Sequence, residues 1–124
     1  MEQVLAEFGR DIGLTALAPS GDGHLQLRLG SGGLLGVSTQ GEEVVLHYAE
    51  PVQYDLAGQA LKLMRWVARS ESAADPVQVG VRTTAQGDWL VLATRLPLTR
   101  LSVHEVHRLG AYLQSSLEEA REAC

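Results

Sequence analysis

The chain has 124 residues, 45% of them hydrophobic and 20% charged, a composition that fits one globular domain with a real core. Its net charge is −5, and its ten cations, nine Arg and Lys62, are scattered, which argues against a nucleic-acid phosphate backbone as partner. No apolar run approaches the eighteen or so residues of a membrane span, and the acidic start does not resemble a basic, hydrophobic signal peptide, so a cytoplasmic protein is expected.

Within residues 2–12, Val4, Leu5, Phe8 and Ile12 share one side of a helical wheel, with Glu7, Arg10 and Asp11 opposite; Gly13 is placed to stop the helix. Leu14 and Leu17 anchor a connector, and residues 20–23 (Ser-Gly-Asp-Gly) read as a turn. Residues 24–29 alternate strictly, as a half-buried strand does. Glycine-bearing turns at 30–33 and 40–41 separate it from strands at 34–38 and 43–49, which makes an antiparallel meander, and Pro51 is expected to end it.

Asp55 is placed to cap a helix through residue 69. On this helix Leu56, Ala60, Leu63, Met64 and Val67 form one stripe, which Leu61 and Ala68 widen on one flank and Trp66 on the other. The arc covers roughly 200°, about twice what packing on one sheet requires. The helix is therefore either sandwiched within its own domain or buried by a second subunit; the small domain, and Trp66 beside Gln59 and Lys62, favour the subunit. A polar linker over residues 70–76 leads to an alternating strand at 77–81 and a turn at 85–88. The strand at 89–96 is apolar on both faces, Trp89, Val91 and Ala93 on one and Leu90 and Leu92 on the other, as for an inner strand covered on both sides. After Pro97, Ser102 and Glu105 match the S-x-x-E capping box. The helix that follows has Val106, Leu109, Leu113, Leu117 and Ala120 on one stripe, with His104, Arg108, Ser115, Glu118 and Glu119 on the other side. The predicted fold is α+β, one domain over residues 1–124 in the order α-β-β-β-α-β-β-α.

No catalytic constellation emerges. Residues 30–36 (GSGGLLG) miss G-x-G-x-x-G and lead into a strand, where phosphate cradling needs a helix N-terminus. Residues 36–40 (GVSTQ) miss the last glycine of the nucleophile elbow, and no helix follows. His104-Glu105-Val106-His107 is one residue short of H-E-x-x-H and lacks a third ligand, so a solvated helix face is expected and no metal site. His24 and His47 lie in strands and are expected to pack or face water. Glu42-Glu43 and Glu118-Glu119 sit where charge is readily solvated, and the sparse aromatics do not suit a base-stacking platform. Cys124 has no internal partner and no neighbouring cation to activate it. No cofactor is implied.

The element order, the amphipathic start at residues 5–14 closing in Asp11-Ile12-Gly13-Leu14, the meander at 25–48 and the turn, strand and long helix at 87–117 resemble the class I chaperones of bacterial type III secretion. Within that family the last segment is most similar to the chaperones of the secretion gatekeeper. The resemblance implies a small acidic cytoplasmic dimer with a twisted antiparallel sheet packed by helices. It would hold the N-terminal segment of a secreted effector or gatekeeper protein in extended form, soluble and ready for secretion. The dimer contact would be made by the second helix and the next strand, here Leu61, Met64, Trp66, Val67, Val77, Val79 and Val81. Val4, Leu5, Phe8, Leu25, Leu27, Leu29, Leu34 and Val37 would be the client-binding candidates. Gatekeeper chaperones pair two related small subunits and other members are homodimers; both arrangements stay open. So do two other readings, a non-catalytic dimeric α/β adaptor or regulatory subunit, and a small enzyme using His47, Tyr48 or Asp55 at the dimer interface. Neither nucleic acid nor membrane is an expected partner.

Overall fold

The computed structural model describes residues 3, 4, 7 and 8, residues 24–28, and residues 32–70 and 76–122. Residues 3, 4, 7 and 8 are helical, as the N-terminal wheel requires; the predicted stop at Gly13, the connector, the turn at 20–23 and Leu29 lie outside the described residues. Then come β1 (His24–Arg28), β2 (Leu34–Gln40), β3 (Glu43–Val52), α1 (Leu56–Ser70), β4 (Val77–Thr84), β5 (Gly87–Pro97), a 3-10 turn at Leu98–Arg100 and α2 (Val103–Glu122). The described strands form one antiparallel sheet in the order β1-β2-β3-β5-β4. The meander is as expected. The α1 crossover then carries the chain past the position next to β3, so β4 becomes an edge and β5 fills the gap.

Two expectations about the strands are corrected. Pro51 does not end β3 but pairs with Trp89, and β3 runs on to Val52. The reason is local: β2 pairs with β3 only as far as Ala49, so from Glu50 onward β3 has β5 alone beside it and the missing N–H of Pro51 breaks no ladder. Nor is β5 covered equally on both sides. Leu90, Leu92, Thr94 and Leu96 are buried on one face, whereas on the other Trp89 is buried and Val91 and Ala93 are only half-buried.

The asymmetry follows from where the helices lie. The pairing places Leu35, Val37, Val44, Leu46, Tyr48, Leu90, Leu92 and Leu96 on one face of the sheet. These residues form a single core with Leu63 of α1, with Val106, Leu109, Leu113, Leu117 and Ala120 of α2, and with Phe8. Fully burying a side chain of that size is worth roughly 1.5–3 kcal/mol, so this face holds the subunit together. Gly110 faces Leu35 across this contact: a Cβ there would sit 3.5 Å from Leu35 Cδ2, an ordinary packing distance.

Each helix is started by its own residue. The Gly58 N–H donates to Asp55 Oδ1 at 3.2 Å, and the Glu105 N–H donates to Ser102 Oγ at 3.1 Å. Asp55 does so at a positive φ of 52°, which brings its carboxylate against Gly58. The Glu105 carboxylate turns to its own helix, accepting from Arg108 Nε at 3.0 Å and Nη2 at 2.8 Å. Those hydrogen bonds, first of all, hold its carboxyl below the usual range; the charges of Arg108, Arg100 and His104 add to them and partial burial opposes them.

Candidate docking surface

The sequence offers a wide apolar arc on α1, and the structure divides it into a satisfied and an unsatisfied flank. Leu63, 1% exposed, is the buried centre, and Leu56, Ala60, Trp66 and Val67 are half-buried around it. On one flank Lys62 Nζ donates to the backbone oxygen of Arg121 in α2 at 3.0 Å. A cleft of ≈ 180 Å³ lies there, lined by Tyr54, Gln59, Lys62, Leu63, Ala120 and Arg121. The same end of α2 is tied to β3: Arg121 Nη1 donates to Glu50 Oε1 at 2.9 Å, and Tyr48 donates its hydroxyl hydrogen to Glu50 Oε2 at 2.8 Å. At 100° per residue Trp66 lies about 40° from Lys62, on this flank facing α2. The subunit itself therefore covers part of the arc that suggested a partner.

The opposite flank has no such cover. Leu61 is 47% exposed and Met64 54% exposed, with Ala57 and Ala68 exposed around them. Here α1 borders β4, the edge strand, whose residues on the helix side are half-buried Val77 and Val79 and Val81 at 54% exposure. An isolated helix flank and a bare strand edge are each unremarkable. Side by side they form a continuous apolar strip running onto unpaired backbone, the kind of surface that a second chain covers. Of the seven residues expected at a dimer contact, the structure brings Leu61, Met64, Val67, Val77, Val79 and Val81 to this strip and sets Trp66 on the other flank.

The client-binding candidates fare differently. Phe8 and Val37 are 5% and 3% exposed and belong to the subunit's own core, so neither is an open docking position here. Val4 and Leu34 are half-buried. Leu25 and Leu27 are placed by register opposite Val37 and Leu35, while Leu5 and Leu29 lie outside the described residues.

Among the described residues the histidines and carboxylates do not converge. His47 and Tyr48 are consecutive in β3 and point to opposite faces; His47 lies against Gly36, and Tyr48 packs over Gly33. Asp55 is occupied as a helix cap, which leaves the enzymatic reading without a common site for these three. His107 corrects the expectation of a solvated helix face: its ring meets Phe8 with centroids 4.7 Å apart, because the N-terminal helical residues pack on that side of α2. Among the described residues no three His, Cys, Asp or Glu side chains gather as metal ligands, and no described helix is long and apolar enough to cross a membrane. The sequence reading also missed a pair of arginines on the open face of the sheet. Arg28 is an ordinary polar position of an alternating strand, and only the strand order shows that it shares a groove with Arg82.

A small α+β subunit with one apolar strip between a helix and an edge strand is a protein-binding architecture. The chain belongs to the Tir chaperone protein (CesT) family, whose model matches residues 3–123, so the secretion-chaperone resemblance is met at the level of the family. Among solved structures, the chaperone–effector complex HopA1-SchA matches with 20% identity and a TM-score of 0.69, covering 98% of this chain and 92% of that one. The ExsC-ExsE complex matches with 16% identity and a TM-score of 0.70, over 97% and 90% of the two chains. The Yersinia pestis type III secretion chaperone SycH, solved with a fragment of YscM2, matches with 18% identity and a TM-score of 0.63, over 96% and 95%. At such identities these likenesses show a shared fold. No curated protein sequence matches the chain.

Proposed function

We propose that this protein is a cytoplasmic type III secretion chaperone, a single domain acting as a dimer, that holds the N-terminal segment of a secreted effector or gatekeeper protein in extended form. The observation that carries the dimer is the strip of Leu61, Met64 and Val81 left open beside edge strand β4. Membership of the chaperone family supports the rest, as do structural neighbours solved as complexes with secretion proteins. Function on this reading is binding without catalysis. An extended client segment pairs its backbone with a free sheet edge and lodges apolar side chains in surface pockets. Val4, half-buried against the core, and Leu34, half-buried on the opposite face of the sheet, remain described candidates for such contacts.

Light scattering on the purified chain tests this, alone and after co-expression with candidate secreted proteins and any small acidic neighbour. The expected result is a dimer that captures the N-terminal segment of one secreted protein. Solubility only with a second small subunit would identify the heterodimeric form. A stable monomer indifferent to every candidate would refute the reading.

A further inference from the structure

We propose that the sheet face turned away from the helices carries a second docking site, a groove that takes an acidic, apolar-bearing segment of a partner protein between Arg28 and Arg82. The groove has a volume of ≈ 220 Å³ and spans the whole sheet at one end. Its floor is Leu34 of β2, Ala49 of β3 and Trp89 of β5, and its two sides carry Arg28 of β1 and Arg82 of β4. The register explains the convergence. Arg28 pairs with Leu34 and Leu34 with Ala49, while Trp89, on the adjoining row, pairs with Arg82. The arginines thus rise from the two edge strands, four strand spacings or roughly 19 Å apart along the sheet, with apolar side chains between them.

Charge decides the occupant. The protein as a whole is acidic, at −5, yet this groove is lined by two arginines and no carboxylate. Both guanidiniums are exposed, and neither has an ion-pair or hydrogen-bond partner among the described residues. On this face of the described strands the register places one acidic side chain, Glu43, at the far end of the sheet, where it lies 4.0 Å from Arg95. Glu50 is on the other face and engaged by Arg121. Two unneutralised forked donors flanking an aromatic and aliphatic floor suit carboxylates on either side of an apolar anchor. Arginine pairs carboxylates bidentately, and tryptophan anchors are frequent at interface centres. Like charge rejects basic segments, so the groove selects among clients by sign as well as by shape.

The inference deepens the client-binding reading and rests on it for the kind of partner. A labelled, end-capped synthetic peptide with glutamates flanking a leucine pair is titrated against the full chain, beside its glutamine counterpart. Anisotropy reports binding, and tryptophan emission of the Trp66→Phe variant reports contact at Trp89. The glutamate peptide should bind at least tenfold more tightly than the glutamine peptide, shift the Trp89 emission and weaken as salt is raised. The Arg28→Gln/Arg82→Gln variant should lose that preference. Equal affinity for the two peptides, or an unchanged preference in the double variant, would overturn the proposal. Co-expression separates the two readings. If the double variant captures a secreted client as well as the parent does, the groove is refuted and the chaperone stands. If the parent captures none yet prefers the glutamate peptide, the groove stands and the chaperone reading fails.

Discussion

The two long helices are both amphipathic by sequence, and the subunit treats them differently. C-terminal α2 buries Val106, Leu109, Gly110, Leu113, Ser116, Leu117 and Ala120, a stripe running its full length. In α1 only Leu63 among the described side chains is buried to that degree, and Leu61 and Met64 on its flank are about half exposed. The difference is one of place. α2 packs on β3 and β5, inner strands with side chains on every side to receive it, while α1 also borders β4, where the sheet stops. A helix over the centre of a sheet needs an apolar stripe no wider than its contact. One that lies at the edge and is apolar beyond its contact marks a surface that the subunit leaves for another chain.

The most damaging way to probe that contrast is to cut equal side chains from the two helices. Leu113→Ala, at 0% exposure, should destabilise the subunit by about 2–5 kcal/mol in urea unfolding. Leu61→Ala should lower the stability of the monomer by no more than about 0.5 kcal/mol, because half of that side chain already meets water. Comparable losses at the two positions would mean that α1 is as fully packed as α2, and the case for an open strip would collapse.

Adding charge rather than removing volume separates association from folding. Leu61→Glu with Met64→Glu should leave the far-ultraviolet spectrum and the unfolding midpoint of dilute protein nearly unchanged. The same variant should weaken self-association or pairing with a second subunit by tenfold or more, read as a change in mass by light scattering, since a buried contact cannot accept unpaired carboxylates. A variant that still dimerises with the parent affinity would move the interface elsewhere.

How far these two helices could be read in advance follows from the same geometry. Both wheels, both caps and the excess width of α1 are local, and spacings of three and four residues along the chain display them. The β1–β2–β3 meander is nearly as local, because short glycine turns at 32–33 and 41–42 leave little choice of partner. What the chain does not display is which strand fills the gap after a crossover. Inserting β5 between β3 and β4 makes Val77, Val79 and Val81 an edge, turns Pro51 into a tolerated sheet residue and brings Arg82 to face Arg28. For Trp66 the limit is related: a wheel shows that its flank is apolar without showing that this flank faces α2. The packing of His107 is not legible for the same kind of reason: its partner, Phe8, is ninety-nine residues away along the chain.

The two caps extend the comparison at a smaller scale. Asp55→Ala should cost about 1–2 kcal/mol, since it removes the bond to the Gly58 N–H and also puts alanine at a positive φ. Asp55→Gly should recover much of that loss, glycine being at ease at such a φ. Ser102→Ala should cost about 1 kcal/mol, and there Ser102→Gly should recover less, because no left-handed residue is at issue. Chemical denaturation of the four variants checks the order. Equal rescue by glycine at both sites would mean that the conformation of Asp55 contributes nothing.

The smallest effect belongs to α2 alone. The Glu105–Arg108 pair, at 2.8 Å, sits in the first turn of a helix, where a negative charge also meets the positive end of the helix dipole. Because the folded state holds the Glu105 carboxyl below its ordinary value of 4.5, the unfolded chain binds more protons in acid. The contribution is therefore fully present above that ordinary value and is lost as pH falls through the lowered one. The pair is partly exposed, so solvent screening keeps its worth to roughly 0.2–1 kcal/mol. Glu105→Gln should lower the urea midpoint slightly at neutral pH, and the gap from the parent should close as acid below pH 4.5 protonates the carboxyl of the folded state. Helix α1 has no acidic residue in its first turn to set beside this pair. A gap that persists unchanged into acid would show that Glu105 acts through packing, and that the two helices differ in burial and not in charge.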